Sequence, residues 1–220
     1  MRMMEDRNHI KVFVSSTVYD FETQLTQVFA MLNAMGYDVY MSKKGTIPVD
    51  STLNSFVNCV ESVKDCDVFL SFIRPLLGSG IYKGEEKSVT EQEIEAAIEC
   101  GMPRFVMADY RVEYAHKFLS MKKWEPDIIP VTIDREETDA DGTKIITKVP
   151  NNLIHPSAVR MYRTATRREV KPESDRKGNW VQPFQGITEY VEMSDIITFI
   201  KAQFSDVRRI KGLIEKCKAQ

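Results

Sequence analysis

Short uninterrupted apolar runs alternate along the chain with stretches in which apolar residues recur every three or four positions. "HIKVFVSS", ending at Ser16, predicts a strand, and "TVYDFETQLTQVFAMLNAMGY" then predicts a helix with Phe21, Leu25, Val28, Phe29 and Leu32 on one face. Gly36 marks its end, "YDVYMS" reads as a second strand, and "STLNSFVNCVESVKDC" as a helix with Leu53, Phe56, Val57, Val60 and Val63 inward. "DVFLSFI" is apolar throughout, as a parallel strand covered on both faces must be. After a loop from Arg74 to Lys87 come a helix in "SVTEQEIEAAIEC", a strand in "RFVMAD", a helix near Tyr110 to Lys123, and a fifth strand in "DIIPVTI".

This alternation predicts a doubly wound α/β fold with a five-stranded, mainly parallel sheet, flavodoxin-like in type, over residues 1–133. Right-handed crossovers put every strand's carboxyl end on one edge, where such sheets bind ligands. Three polar stretches converge there: Ser15-Ser16-Thr17, the loop from Ser71 to Tyr82, and the start of the helix that carries Glu93. Residues 134–220 predict an extension: a hairpin turning at Asp141-Gly142, an irregular segment, and one amphipathic helix in "SDIITFIKAQFSDVRRIKGLIEKCKAQ" that packs on the domain or on a partner subunit.

Charge narrows the partners. Lys+Arg 30 against Asp+Glu 32 gives a formal net charge of -2, which supplies no field for nucleic acid or an anionic membrane. The basic cluster Arg160, Arg163, Arg167 and Arg168 is balanced by Glu169, Glu173 and Asp175 and reads as a solvated or interface surface. Four cysteines without C-x-x-C spacing and three scattered histidines do not make a zinc or thiol-protease pattern. No apolar run reaches the ~18 residues of a membrane span, and the expectation is a cytoplasmic protein with free thiols.

The chemistry concentrates in "SVTEQEIEAAIECGMPRFV", where Glu91, Glu93 and Glu95 crowd the first turns of a helix. Thr90-x-x-Glu93 and Ser88-x-x-Glu91 both fit a capping box, and acidic residues suit a helix start in any case. Glu93 stands apart because it lies beside the buried stripe of Ile94, Ala97 and Ile98, near the sheet edge. Ser15, Ser16 and Thr17 suit a diphosphate or ribose at a helix N-terminus, and equally a helix N-cap. Ser71, Phe72, Arg74, Tyr82 and Thr90 are placed to line the same cleft, Arg74 near phosphate and Tyr82 stacked on a base.

"KVFVSSTVYDF", "DVFLSFI" and "SVTEQEIEAAIECGMPRFV" together resemble a Toll/interleukin-receptor-like (TIR-like) domain of the bacterial kind over roughly the first 130 residues. The segment from Glu93 to Gly101 is similar to the helix that carries the catalytic glutamate of TIR-domain NAD glycohydrolases. With Thr90, Ala97 and Pro103 it also resembles the nucleophile helix of nucleoside 2-deoxyribosyltransferases, from which it departs at Val89 and Glu95, where that family has glycine.

The resemblance implies an enzyme that cleaves the nicotinamide-ribose N-glycosidic bond of NAD, with Glu93 catalytic and NAD as substrate, no cofactor or metal, a homo-oligomeric state and a role in bacterial defence signalling. The alternatives are a non-catalytic self-association module in which Glu93 only caps a helix, and a deoxyribosyltransferase-like enzyme. In NAD the leaving nicotinamide is already cationic and departs neutral, so one carboxylate suffices where an O-glycoside generally needs two.

Overall fold

The computed structural model describes residues 10–17, 21–77, 80, 86–138, 141–185 and 193–219. Four strands and four helices follow the predicted order: β1 (Lys11–Ser16), α1 (Glu22–Ala34), β2 (Asp38–Tyr40), α2 (Ser55–Lys64), β3 (Val68–Ile73), α3 (Val89–Glu99), β4 (Arg104–Asp109) and α4 (Tyr110–Lys122). Beyond them lie β5 (Thr132–Thr138), β6 (Lys144–Pro150), α5 (Pro156–Ala165), β7 (Val181–Phe184), α6 (Met193–Phe204) and α7 (Val207–Lys218). The main sheet is parallel throughout, in the order β2-β1-β3-β4-β7. With β7 fifth, that is the doubly wound order in which the chain changes winding direction between β1 and β3.

The fifth strand is not the one the apolar pattern suggested. Ile133 belongs to β5, which pairs only with β6 as an antiparallel hairpin with every β5 residue exposed. The sheet instead takes β7 from beyond Ile133, aligning Val106 with Val181 and Asp109 with Phe184. "VTIDREET" alternates with too few apolar residues to survive in a sheet covered on both faces, whereas β3 is buried at all six positions.

Two cores flank the sheet. On one face α1, α6 and α7 bury Leu25, Val28, Leu32, Ile196, Ile200, Phe204 and Ile210 against Val12, Val14, Leu70 and Phe72. On the other, Val63 of α2, Ile94 and Ala97 of α3, Val112 of α4 and Ala158 and Met161 of α5 meet Phe13, Phe69, Ile73 and Val106. The single terminal helix expected is two, because Asp206 accepts from the Arg209 backbone N–H at 3.0 Å and starts α7 afresh. On α2 only part of the predicted face is inward: Val63 is buried, while Leu53 precedes the helix and both it and Val57 are exposed.

The segment expected to be irregular contains α5, whose signals are local. His155 caps it through Nδ1, which accepts from the Ser157 backbone N–H at 3.2 Å, Pro156 opens the first turn, and Ala158, Met161, Tyr162 and Ala165 form a 3–4 spaced buried stripe. No helix among the described residues is long and apolar enough to cross a membrane.

Candidate functional site: a buried carboxylate facing a cavity at the sheet edge

Ser15, next to last in β1, lies beside Ser71 of β3, at the carboxyl edge and at the change of winding direction. Alternation along β1 turns Ser15 to the same face as Phe13, under α2 and α3. On α3, Ser88 is the N-cap, its Oγ accepting from the Glu91 backbone N–H at 3.2 Å, so the helix begins at Val89. Burial of Ile94 and Ala97 then sets the helix rotation, and Glu93 is carried inward one turn after Val89.

There Ser15 Oγ donates to Glu93 Oε2 at 2.5 Å, and Glu93 is only 5% exposed. A cavity of about 190 Å³ opens beside the pair, its wall including Ser16, Lys43, Ser55, Phe56, Cys59 and Val89. A cavity of ~150 Å³ admits a benzene ring, so the space suits one ring-sized group and not a whole dinucleotide. Among the described residues of its wall, Glu93 is the one carboxylate and Lys43 the one cation, and Lys43 is itself paired with Glu22.

Burial pushes the Glu93 carboxyl up to about 7, and the Ser15 hydroxyl opposes the shift. Desolvation, with the Glu93 charge added, also pushes the Cys59 thiol up to about 11, so Cys59 presents a thiol and not a thiolate. The cavity thus joins a carboxyl poised near neutrality, one hydroxyl that orients it, and mostly apolar walls.

The three glutamates have separate fates. Glu95 pairs with Lys87 at 2.7 Å on the surface. Glu91 crosses to α5, accepting from Ser157 Oγ at 3.3 Å and lying 3.4 Å from Arg160 Nε, and burial raises its pKa against the pull of Arg160. The Thr90-x-x-Glu93 capping box does not form, because Thr90 is already in the first turn, and of the Ser88-x-x-Glu91 box only the serine half is made.

Of the other predicted residues, Ser15 and Ser16 reach the cavity, while Thr17, Ser71, Phe72, Arg74 and Thr90 do not line it. Neither Ser16 nor Thr17 caps α1, which starts at Glu22. Thr17 Oγ1 accepts from the Arg74 backbone N–H at 3.3 Å, and Ser71 is fully buried with its hydroxyl unpartnered among the described residues. Phe72 projects into the opposite core, with its ring 5.4 Å from that of Phe21 and 6.4 Å from that of Phe184. Arg74, expected near a phosphate, is 2% exposed and held 3.3 Å from Asp109, over the Phe21 ring. Tyr82 lies outside the described residues. Lys43, Ser55, Phe56 and Cys59 were missed; the one available signal was Asn54, whose side chain caps α2 and so sets that helix's first turn at the cavity mouth.

The pattern of a domain of unknown function, DUF4062, matches residues 11–140. The chain belongs to the DUF4062 family. No curated protein matches it. The DUF4062 match contains β1 to β4 and both halves of the Ser15–Glu93 pair, and ends before β7, so the strand that completes the sheet lies outside the matched segment.

Proposed function

We propose that this DUF4062 protein cleaves the N-glycosidic bond of a nucleotide, with NAD as substrate and Glu93 as the catalytic group. The reading is supported by one observation above all: a single carboxylate, buried at the carboxyl edge of the sheet and oriented by Ser15, faces a cavity with room for one ring. Ser15 occupies Oε2, and Oε1 is the oxygen that meets a ribose hydroxyl or the developing ribosyl cation. A cationic nicotinamide ring brought alongside would pull the carboxyl back below its raised value and favour the anion that the reaction needs. The small cavity suits the nicotinamide ring alone, with the rest of the dinucleotide outside it, and the TIR-like resemblance of the same helix agrees with that assignment. Hydrolysis, cyclisation and ADP-ribosyl transfer all begin with this bond cleavage.

The test is turnover of NAD by the purified full chain, with a deoxyribonucleoside plus free base as a parallel arm, for wild type and Glu93→Gln. Nicotinamide release that disappears in the variant, with its melting temperature held or raised, is the expected result. Base exchange without nicotinamide release would move the activity to nucleoside transfer. Full turnover by Glu93→Gln would sink the role of Glu93.

A second reading, a self-association module, is favoured by the outer side of α4. Tyr110, Tyr114, Phe118 and Met121 recur at helical spacing there and are 40%, 73%, 46% and 79% exposed. Concentration-dependent sedimentation of wild type, lost in Tyr114→Ser with Phe118→Ser, would support it.

A further inference from the structure

The four arginines on and just beyond α5 are not equivalent. Arg160 reaches Glu91 and Asp127, the latter at 2.7 Å, Arg163 reaches Glu125 at 2.5 Å, and Arg167 reaches Glu169 at 2.5 Å. Arg168 has no carboxylate partner among the described residues; its Nη2 donates to Ser120 Oγ at 3.4 Å and the residue stays exposed. It is placed there by Arg167, which adopts a left-handed φ of 53° after the helix and turns the following chain back toward α4. Between α4, α5 and the returning segment lies a cleft of about 450 Å³, with His116, Ser120, Tyr162, Arg168 and Arg176 in its wall.

We propose that this cleft binds a phosphate monoester bearing a flat apolar group, the phosphate held by Arg168, Ser120 and His116 and the apolar part laid against Tyr162. The volume falls within the ~300–1,000 Å³ of small-ligand sites. The wall carries Lys117, Arg168 and Arg176 against Glu173; Lys117 is paired with Glu113 at 2.6 Å and Arg176 with Glu173 at 2.9 Å, so Arg168 is the uncompensated charge. A guanidinium is the side chain best suited to grip two phosphate oxygens at once.

His116 supplies an independent observation. It is 6% exposed, its ring centroid is 5.1 Å from that of Tyr162, its Nε2 lies 3.5 Å from Ser120 Oγ, and its Nδ1 is buried without a partner among the described residues. Burial, then the charges of Arg168 and Arg163 with Lys117 behind them, push it down to about 4 against the opposing pull of Glu113. Nδ1 has no accessible surface, so an anion in the cleft meets the ring at Nε2, beside Ser120 Oγ, and in the Nε2–H tautomer that nitrogen donates to it.

The experiment is a titration of the full chain with phenyl phosphate at neutral pH and constant ionic strength, following the His116 ring resonances by NMR. Saturable movement of those resonances is expected, with affinity weakened about tenfold or more in Arg168→Gln, a surface change that leaves the fold intact. Lys43→Gln, in the Glu93 cavity, is expected to leave the affinity unchanged. Inorganic phosphate should bind more weakly than phenyl phosphate, and equal affinity would remove the contact with Tyr162. Unmoved His116 resonances at several millimolar ligand, or binding indifferent to Arg168→Gln, would overturn the proposal.

Discussion

Ser15 Oγ donates to Glu93 Oε2 at 2.5 Å across 78 positions of sequence, joining the first strand, near its end, to the second turn of α3 beside a cavity that opens to solvent. The bond orients an acid whose burial is otherwise unfavourable, and most of the measurable properties of the site follow from that opposition.

Stability should carry its signature. The Glu93 carboxyl is raised from 4.5 to about 7, so the folded chain binds more protons than the unfolded one between those values. Its contribution is therefore fully present below about pH 4.5 and is lost as pH rises through about 7, by on the order of 3 kcal/mol. Glu93→Gln keeps an acceptor for Ser15 and removes the ionisation, so the variant should melt higher than wild type at pH 8 and equal to it near pH 4.5. Thermal melts across that range check this, and a variant less stable than wild type at pH 8 would mean that Glu93 is held for structure alone.

The same group should set the pH–rate profile. If the anion is the active form, kcat/KM for nicotinamide release rises tenfold per pH unit below about 7 and levels above it. Ser15→Ala removes the hydrogen bond that opposes the shift, so the midpoint should move to higher pH and the plateau fall by about tenfold. A lowered plateau at an unmoved midpoint would leave Ser15 a packing role only.

Asp109 tests the buried charge at the neighbouring strand ends. It is fully buried between Arg74 at 3.3 Å and Arg111 at 2.8 Å, and its side chain accepts from the Arg111 backbone N–H at the start of α4. Asp109→Ala strips the carboxylate from a guanidinium with 2% exposure and is expected to cost about 3–5 kcal/mol in urea unfolding. A loss below ~1 kcal/mol would show that the Asp109 carboxylate is not what holds the buried Arg74 charge.

Truncation tests the unity of the fold. A chain ending at Trp180 lacks β7, α6 and α7, and so uncovers the face of the sheet that Phe184, Ile196, Ile200, Phe204 and Ile210 bury. That fragment is expected to lack a cooperative melt and to aggregate, although it contains the whole family match. A soluble, cooperatively melting fragment would show that the first four strands close a core on their own.

Local pattern determined much of this protein. The apolar runs of β1, β3 and β4, the stripe of α1, and the Asp141-Gly142 turn are short-range signals, and each stands where the sequence predicts it. So does Glu93 at the sheet edge, because the rotation of α3 follows from Ile94 and Ala97 and needs no distant partner. Tertiary structure alone decided which strand completes the sheet, since the strength of a strand signal does not say which edge has room for it, and β7 is only four residues long. It alone turned Phe72 into the opposite core, buried Arg74 against Asp109, and separated Arg168 from three neighbours of identical chemistry. Apart from the local Arg167–Glu169 pair, these outcomes depend on groups brought together from far apart in the chain, and burial and charge pairing act through space, so local sequence does not contain them.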